Sequence, residues 1–355
     1  MSSDAASASP PLTVLPLSPS ASGVPPLSGC LVAIDGYTLL HMATETHEYT
    51  CSIVTVHPDT ATYSMETLTH PLAPSRTLQT MTVVGGQVYV FGGQTDQGVE
   101  TSDLFTFDIG TKEWKQIPKG DGPWPPTRVY HSAYAYEGCL VVAGGVHKGM
   151  SPDRHPLLCT WAYDPVLSTW HSLPALYSPI FHSPCLCIRD MPHLVQKGGS
   201  ALLQCVNTHA PTHSEGHIHP TWEAVPIKHT PCPLWVCHAL YTEGDWLIVL
   251  RKGTQPELRR DRDRDRERER RDRPGHTDSD SETAANAHSS GVFTDVYVTA
   301  LDTVSGEWEE WGRLTVDGVP CSYLTGCLHL APGVGLWVDN GSARLIHTDI
   351  ICPPN

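Results

Sequence analysis

Apolar positions fall in short runs, four to eight residues long, set between Gly, Pro and charged residues. Such runs read as strands closed by turns. Gln87–Phe91 (QVYVF) ends in Gly92 and Gly93, Cys139–Ala143 (CLVVA) in Gly144 and Gly145, and His193–Lys197 (HLVQK) in Gly198 and Gly199. A glycine pair lets the chain leave a strand with dihedrals that a side chain disfavours. The predicted strands group as GCLVAID, YTLLHMA, CSIVTVH and YSMETL; then LQTMTVV, QVYVFGG, DLFTFD and EWKQIP; then YHSAYAY, CLVVAGG, LLCTWAYD and TWHSLP. HSPCLCI, HLVQKGG, ALLQCV and TWEAVP follow, then LWVCHALY, DWLIVLRKG, FTDVYVTALD and EWEEWGRL. YLTGCLHL, VGLWVDN and ARLIHTDI form a last, incomplete set.

A second signal runs through these sets. Asp108 precedes Trp114 by six residues, Asp164 precedes Trp170 by six, and Asp302 precedes Trp308 by six. His57 to Tyr63 is a decayed copy, and Trp222 keeps the aromatic without the Asp. The markers Tyr63, Trp114, Trp170, Trp222 and Trp308 lie 51, 56, 52 and 86 residues apart, the last interval holding a charged insertion. A period near 50 belongs to propeller blades rather than helical solenoids. The aspartates are expected to turn the chain into the fourth strand. The tryptophans are expected to wedge between blades, each indole N–H seeking an acceptor.

Strand, strand with Gly-Gly, strand ending in Asp, then Trp strand: this order resembles the kelch repeat, most closely over Arg76 to Pro174. The resemblance implies an all-β fold, a six-bladed kelch-type β-propeller. The blades are expected at about 28–70, 76–120, 128–175, 180–227, 234–314 and 320–350 within a single domain over 12–352. Residues 1–11 and the insertion 253–290 are expected to be disordered. The missing strand is expected at 12–17, because Thr13–Leu17 followed by Gly23–Pro26 imitates Trp114–Pro118 followed by Gly122–Pro126. Closing the ring this way removes an exposed edge.

Strand direction alternates within a blade. Connections from strand two to three, and from one blade to the next, therefore share one face. That face collects Arg76, Trp124, Arg128, His147 and Arg154, and the resemblance makes it the expected partner-binding surface. For Arg76 and Arg128, a buried salt bridge between blades is the competing role.

Composition narrows the function. Gly 29 and Pro 31 among 355 residues, with 17% charged, exclude a coiled coil. The formal charge is −15, yet 251–273 carries 11 basic and 7 acidic residues, so the remainder is more acidic still. Such a body repels phosphate and makes a poor nucleic-acid partner. No apolar run approaches a membrane span, and the first residues lack the form of a secretory signal. The 12 cysteines contain no CxxC pair and read as small buried hydrophobes of a reducing, cytoplasmic compartment.

Chemistry-bearing clusters are few. His209, His213, His217 and His219 are candidate metal ligands, since neutral imidazoles at short spacing ligate zinc; their Thr-, Pro- and Gly-rich loop favours loose binding. Arg259–Arg273 alternates signs as a solvated polyampholyte, with Ser279 and Ser281 among acids as candidate phosphorylation sites. Neither G-x-S-x-G, H-E-x-x-H nor a Walker loop is present. The expected function is a non-catalytic, monomeric scaffold or adaptor that binds proteins, uses no cofactor and carries no separate effector domain. A propeller enzyme with a polar or metal-containing central channel is the alternative.

Overall fold

The computed structural model describes residues 12–27, 29–45, 48–70, 73–147, 155–177, 179–180, 185–188, 191–195, 202–208, 219–225, 237–251, 293–317, 325–339 and 342–348. Its strands are β1 (Leu12–Pro19), β2 (Cys30–Asp35), β3 (Thr38–Glu45), β4 (Glu48–His57), β5 (Thr62–Leu68), β6 (Thr80–Val84), β7 (Gln87–Phe91), β8 (Leu104–Asp108) and β9 (Trp114–Ile117). Next come β10 (Ser132–Tyr136), β11 (Cys139–Ala143), β12 (Val146–His147), β13 (His155–Pro156), β14 (Thr160–Asp164), β15 (Thr169–Leu173), β16 (Cys185–Ile188), β17 (Met191–Val195), β18 (Leu202–Thr208) and β19 (His219–Ala224). The last are β20 (Cys237–Glu243), β21 (Trp246–Arg251), β22 (Phe293–Asp302), β23 (Glu307–Asp317), β24 (Thr325–Gly326), β25 (Leu328–Ala331), β26 (Val334–Asp339) and β27 (Ser342–Thr348).

They form an eight-stranded sheet in the order β2-β3-β4-β5-β1-β27-β26-β25, four-stranded sheets β6-β7-β8-β9, β10-β11-β14-β15 and β16-β17-β18-β19, a five-stranded sheet β23-β22-β21-β20-β24, and the pair β12-β13. For reference, the antiparallel meanders within them are labelled in chain order: β2 to β5 (blade one), β6 to β9 (two), β10, β11, β14 and β15 (three), β16 to β19 (four), β20 to β23 (five), and β25, β26, β27 with β1 (six). The first strand of each touches the first strand of the next: β2 with β6, β6 with β10, β10 with β16, β16 with β20, β20 with β25, and β25 with β2. That chain of contacts is a ring. Between adjacent blades lie separate apolar clusters, such as Leu40, Met42 and Cys51 against Val88, Phe105 and Trp114. Another sets Tyr89, Phe91 and Leu104 against Leu140, Tyr163 and Trp170.

β1 pairs antiparallel with β27 from Leu12 opposite Thr348 to Leu17 opposite Ala343. The strand runs two residues beyond the expected 17 and makes a parallel contact with β5 at Ser18 and Pro19. Ala61 turns with φ 49, bringing its carbonyl to the Ser18 N–H at 3.1 Å. β1 thus staples the sheets of blades six and one together. Pro16 interrupts no ladder fatally, because an outer strand tolerates a missing donor on its free edge.

The repeat residues have distinct structural roles. Trp114 stands opposite Phe107, Trp170 opposite Tyr163, Trp222 opposite Cys205, Trp308 opposite Leu301, and Tyr63 opposite Val56. Each of these aromatics packs into the cluster shared with the preceding blade. The expected indole acceptor is absent for three: Nε1 of Trp114, Trp170 and Trp308 finds no acceptor oxygen among the described residues, Trp114 having only the Cys51 thiol beside it. Packing of the ring outweighs that lost bond. Asp108 Oδ1 accepts from Thr111 N at 2.8 Å, Asp164 Oδ1 from Val166 N at 2.8 Å, and Asp302 Oδ1 from Val304 N at 2.8 Å. Gly92, Gly93, Gly144 and Gly145 have φ of 66, 88, 64 and 86, and Cβ atoms on them would collide with neighbouring backbone. Gly198 and Gly199 lie outside the described residues.

Candidate functional site

The face formed by the β7–β8, β11–β14 and inter-blade connections holds most of the expected site residues, and the structure brings them together around blades two and three. Arg76 lies on the approach to β6. Its Nη2 donates to Asp103 Oδ2 at 2.7 Å, its Nη1 to Thr101 Oγ1, and its guanidinium stacks 5.1 Å from the Phe105 ring centre. Lys119 Nζ is 3.4 Å from Asp103 Oδ1 and donates to Ser102 Oγ at 2.9 Å. Trp124 Nε1 donates to the Ser102 carbonyl at 2.6 Å, and its ring meets Trp170 edge-on at 5.9 Å. Burial pushes the Asp103 carboxyl up; the Arg76 hydrogen bond and charge, with Lys119, overcome this and hold it below the ordinary range.

Arg128 departs from the expected partner-facing role. It is 0% exposed, which removes it from any surface contact. Nor is it in a salt bridge: Nε donates to the Pro126 carbonyl at 3.3 Å, Nη1 to the Gly144 carbonyl at 3.1 Å and the Cys159 carbonyl at 3.4 Å, and Nη2 to Cys159 Sγ at 3.2 Å. Arg128 is a clamp within blade three. Beside it, His131 is buried, and that burial, then the Arg128 charge, holds its imidazole well below the ordinary value. His147 Nδ1 is 2.7 Å from Thr127 Oγ1 and 3.7 Å from the buried Glu100 carboxylate.

On the same set of connections, large apolar side chains reach solvent: Leu78, Val99, Leu158 and Tyr177, the last 83% exposed. Leu158 and Tyr177 are neighbours, because Leu176 N donates to the Leu158 carbonyl at 2.8 Å. Leu78 is presented with φ 59, a strained conformation for a bulky residue. Asp103, Glu100 and Lys119 escaped the sequence reading, although superposing Asp108 on Asp164 would have singled out Asp103 and Cys159 as one repeat position.

The other expected ligands are not gathered. Arg154, His209, His213 and His217 lie outside the described residues, as do the charged insertion's Ser279 and Ser281. His219 opens β19 opposite Thr208. Among the described residues no group of three or more His, Cys, Asp or Glu could hold a metal ion, and no helix is long and apolar enough to cross a membrane. Across the ring, Glu243 Oε2 accepts from Tyr241 Oη at 2.6 Å and Gly333 N at 3.1 Å, pinning blade five to blade six.

A family model described as the KLHDC2/KLHL20/DRC7 Kelch-repeats domain matches residues 29–250. Kelch domain-containing protein 3 of Homo sapiens is 28% identical over 137 residues, 36% of this chain and 34% of that protein. The N-(sulfonatooxy)prop-2-enimidothioate sulfolyase of Thlaspi arvense is 34% identical over 121 residues, 33% of this chain and 34% of that protein. The chain thus matches about a third of the length of these curated relatives. The solved structure of YjhT covers 93% of this chain and 95% of its own at 16% identity with a TM-score of 0.56, a likeness of fold.

Proposed function

The chain belongs to the kelch-repeat family, and from that premise we propose that it is a non-catalytic scaffold or adaptor whose protein partners bind the face carrying the β7–β8 and β11–β14 connections. The ring is read as six-bladed, with β1 completing the sixth blade. The observation that carries the proposal is the exposure of Leu78, Val99, Leu158 and Tyr177 on the same set of connections that holds the Arg76–Asp103–Lys119 ion-pair group. Apolar groups held on a rigid frame give up area to a partner at little ordering cost. Arg76, Trp124 and His147 position that surface, and Arg76 and Trp124 supply its half-buried rim. Arg128 serves only from within.

A direct test is affinity capture with the full chain, comparing Val99→Glu with Tyr177→Glu on this face and Val166→Glu on the opposite one, where Val166 is 91% exposed. Partners should be lost with the first two variants and kept with the third. Equal capture by all three would refute the assignment of the face. The enzyme alternative draws its support from the sulfolyase match, which covers a third of the chain. Lyase activity retained by the Val99→Glu and Tyr177→Glu variants would favour it.

A further inference from the structure

β12 and β13 form a two-residue ladder in which Val146 faces Pro156 and His147 faces His155. Directly opposed residues of an antiparallel pair project from one face of the sheet, their Cβ atoms about 4.5–5.5 Å apart. The two imidazoles therefore leave the ladder side by side. No other ladder among the described residues opposes two histidines. Pro156 also favours an extended backbone at the residue before it, which holds His155 in this register.

The two rings have different surroundings. His155 is exposed, and its ring bonds nothing among the described residues. His147 is fixed from behind: Nδ1 is 2.7 Å from Thr127 Oγ1 and 3.7 Å from Glu100 Oε2, and the Glu100 side chain is only 5% exposed. A proton on Nδ1 finds oxygen on that side, which leaves the lone pair on Nε2. Nε2 itself makes no hydrogen bond to a described residue. An imidazole with one nitrogen backed by a hydroxyl and a buried carboxylate is set up as a metal ligand, because the outer partners fix its tautomer and raise its basicity.

We propose that His147 and His155 bind a divalent transition-metal ion of the zinc class, with Thr127 and Glu100 orienting His147 and water filling the remaining positions. Imidazole suits Zn²⁺, Cu²⁺ and Ni²⁺, whereas Mg²⁺ prefers oxygen ligands. Two nitrogens on a tetrahedral zinc ion, each about 2.0–2.1 Å from it, lie about 3.3 Å apart. Opposed side chains reach that span by turning about χ1 and χ2. Two protein ligands make an open site, unlike the four-ligand cages that hold structural zinc. The site is separate from His209, His213, His217 and His219, and it joins two blades. Glu100 comes from the β7–β8 connection of blade two, and the histidines come from the β11–β14 connection of blade three.

The experiment is a calorimetric titration of Zn²⁺ into the full chain at neutral pH. Its parent protein carries Gln at His209, His213, His217 and His219, so that those four add no signal. The parent should take up one saturable equivalent, and Mg²⁺ should give no heat of binding. His147→Gln and His155→Gln should each weaken zinc binding roughly tenfold or more, and Glu100→Gln, which removes the backing charge, about 10–100-fold. His155→Gln decides the matter, because its ring is exposed and bonds nothing, so the fold does not depend on it. Without zinc it should melt with the parent, and zinc should raise the melting temperature of the parent alone. A parent that binds no zinc, or a His155→Gln isotherm that superimposes on the parent's, would overturn the site. Unchanged affinity in Glu100→Gln would overturn the orienting part given to the carboxylate.

Discussion

A Cβ placed on Gly145 would stand 2.7 Å from the carbonyl oxygen of Val129. The same carbonyl accepts a hydrogen bond from Val146 N at 3.0 Å, so the neighbour cannot retreat without loss. Gly93 repeats the relationship in blade two, where the Cβ would meet the Thr77 carbonyl at 2.7 Å. The glycine pairs thus exist for two reasons at once, positive φ and close backbone approach.

Gly145→Ala should therefore cost about 3 kcal/mol, combining a strained dihedral with overpacking. Gly138 is the control. Its φ is 77, yet nothing lies within 4 Å of its Cβ position, so Gly138→Ala should cost only about 1 kcal/mol. Denaturant midpoints of the two variants measure the difference, and equal losses would leave φ as the sole reason for the pair.

Closure by β1 predicts a contrast within one strand. Leu17 is 7% exposed and packs with Leu27, Leu39, Tyr63 and Leu345, whereas Leu15 is 42% exposed. Leu17→Ala should cost about 2–4 kcal/mol and Leu15→Ala less than about 1 kcal/mol. Deleting residues 1–20 should lower the melting temperature more than either. A truncated chain that melts like the full one would show that the β1–β27 ladder contributes nothing to the ring.

The fold was legible because its signals are local. Asp108, Asp164 and Asp302 advertise a turn through their own side-chain bonds, and Gly92, Gly93, Gly144 and Gly145 advertise a backbone that no other residue fits. Even β1 was visible, since Thr13–Leu17 imitates Trp114–Pro118. The parallel contact between β1 and β5 was not, because it depends on Ala61 turning with positive φ, and alanine gives no warning of that. The site was legible only in part for a related reason. Arg76 and Arg128 look alike in sequence, but their environments are set by residues 27 and 31 positions downstream, Asp103 and Cys159. One becomes a half-buried ion pair and the other a fully buried clamp.

Asp103 gives an acid-dependent prediction. Its folded value lies below its unfolded one because Arg76 and Lys119 outweigh burial. The stabilisation it supplies is therefore complete above the unfolded value of about 3.9 and is lost as pH falls through the lower folded value. Asp103→Asn should be less stable than wild type by about 1–2 kcal/mol at pH 7. Denaturation curves at successively lower pH should converge below about pH 4. Curves that stay parallel would mean that Asp103 acts through packing alone.

His131 also has a lowered value, and its contribution is likewise lost as pH falls, but in a higher window. Buried and facing the Arg128 charge, it stays neutral in the fold, while the unfolded chain takes up a proton below about pH 6.5. Its contribution is intact above that pH and drains away as pH falls toward the depressed folded value, by at most about 1.4 kcal/mol per pH unit. The repeat itself supplies the variant that tests this. Gln79 occupies the equivalent place in blade two: its Cβ lies 2.9 Å from the Cβ position of Gly93, as His131 Cβ lies 2.8 Å from that of Gly145. His131→Gln should accordingly fold, retain a polar group near Thr80 Oγ1, which now bonds the imidazole at 2.9 Å, and flatten the loss of stability between about pH 6.5 and 5. Urea titrations across that window measure the slope directly. An unchanged slope in His131→Gln would assign the acid sensitivity to other groups, of which His193, also buried and held below its ordinary value by that burial, is the next to substitute.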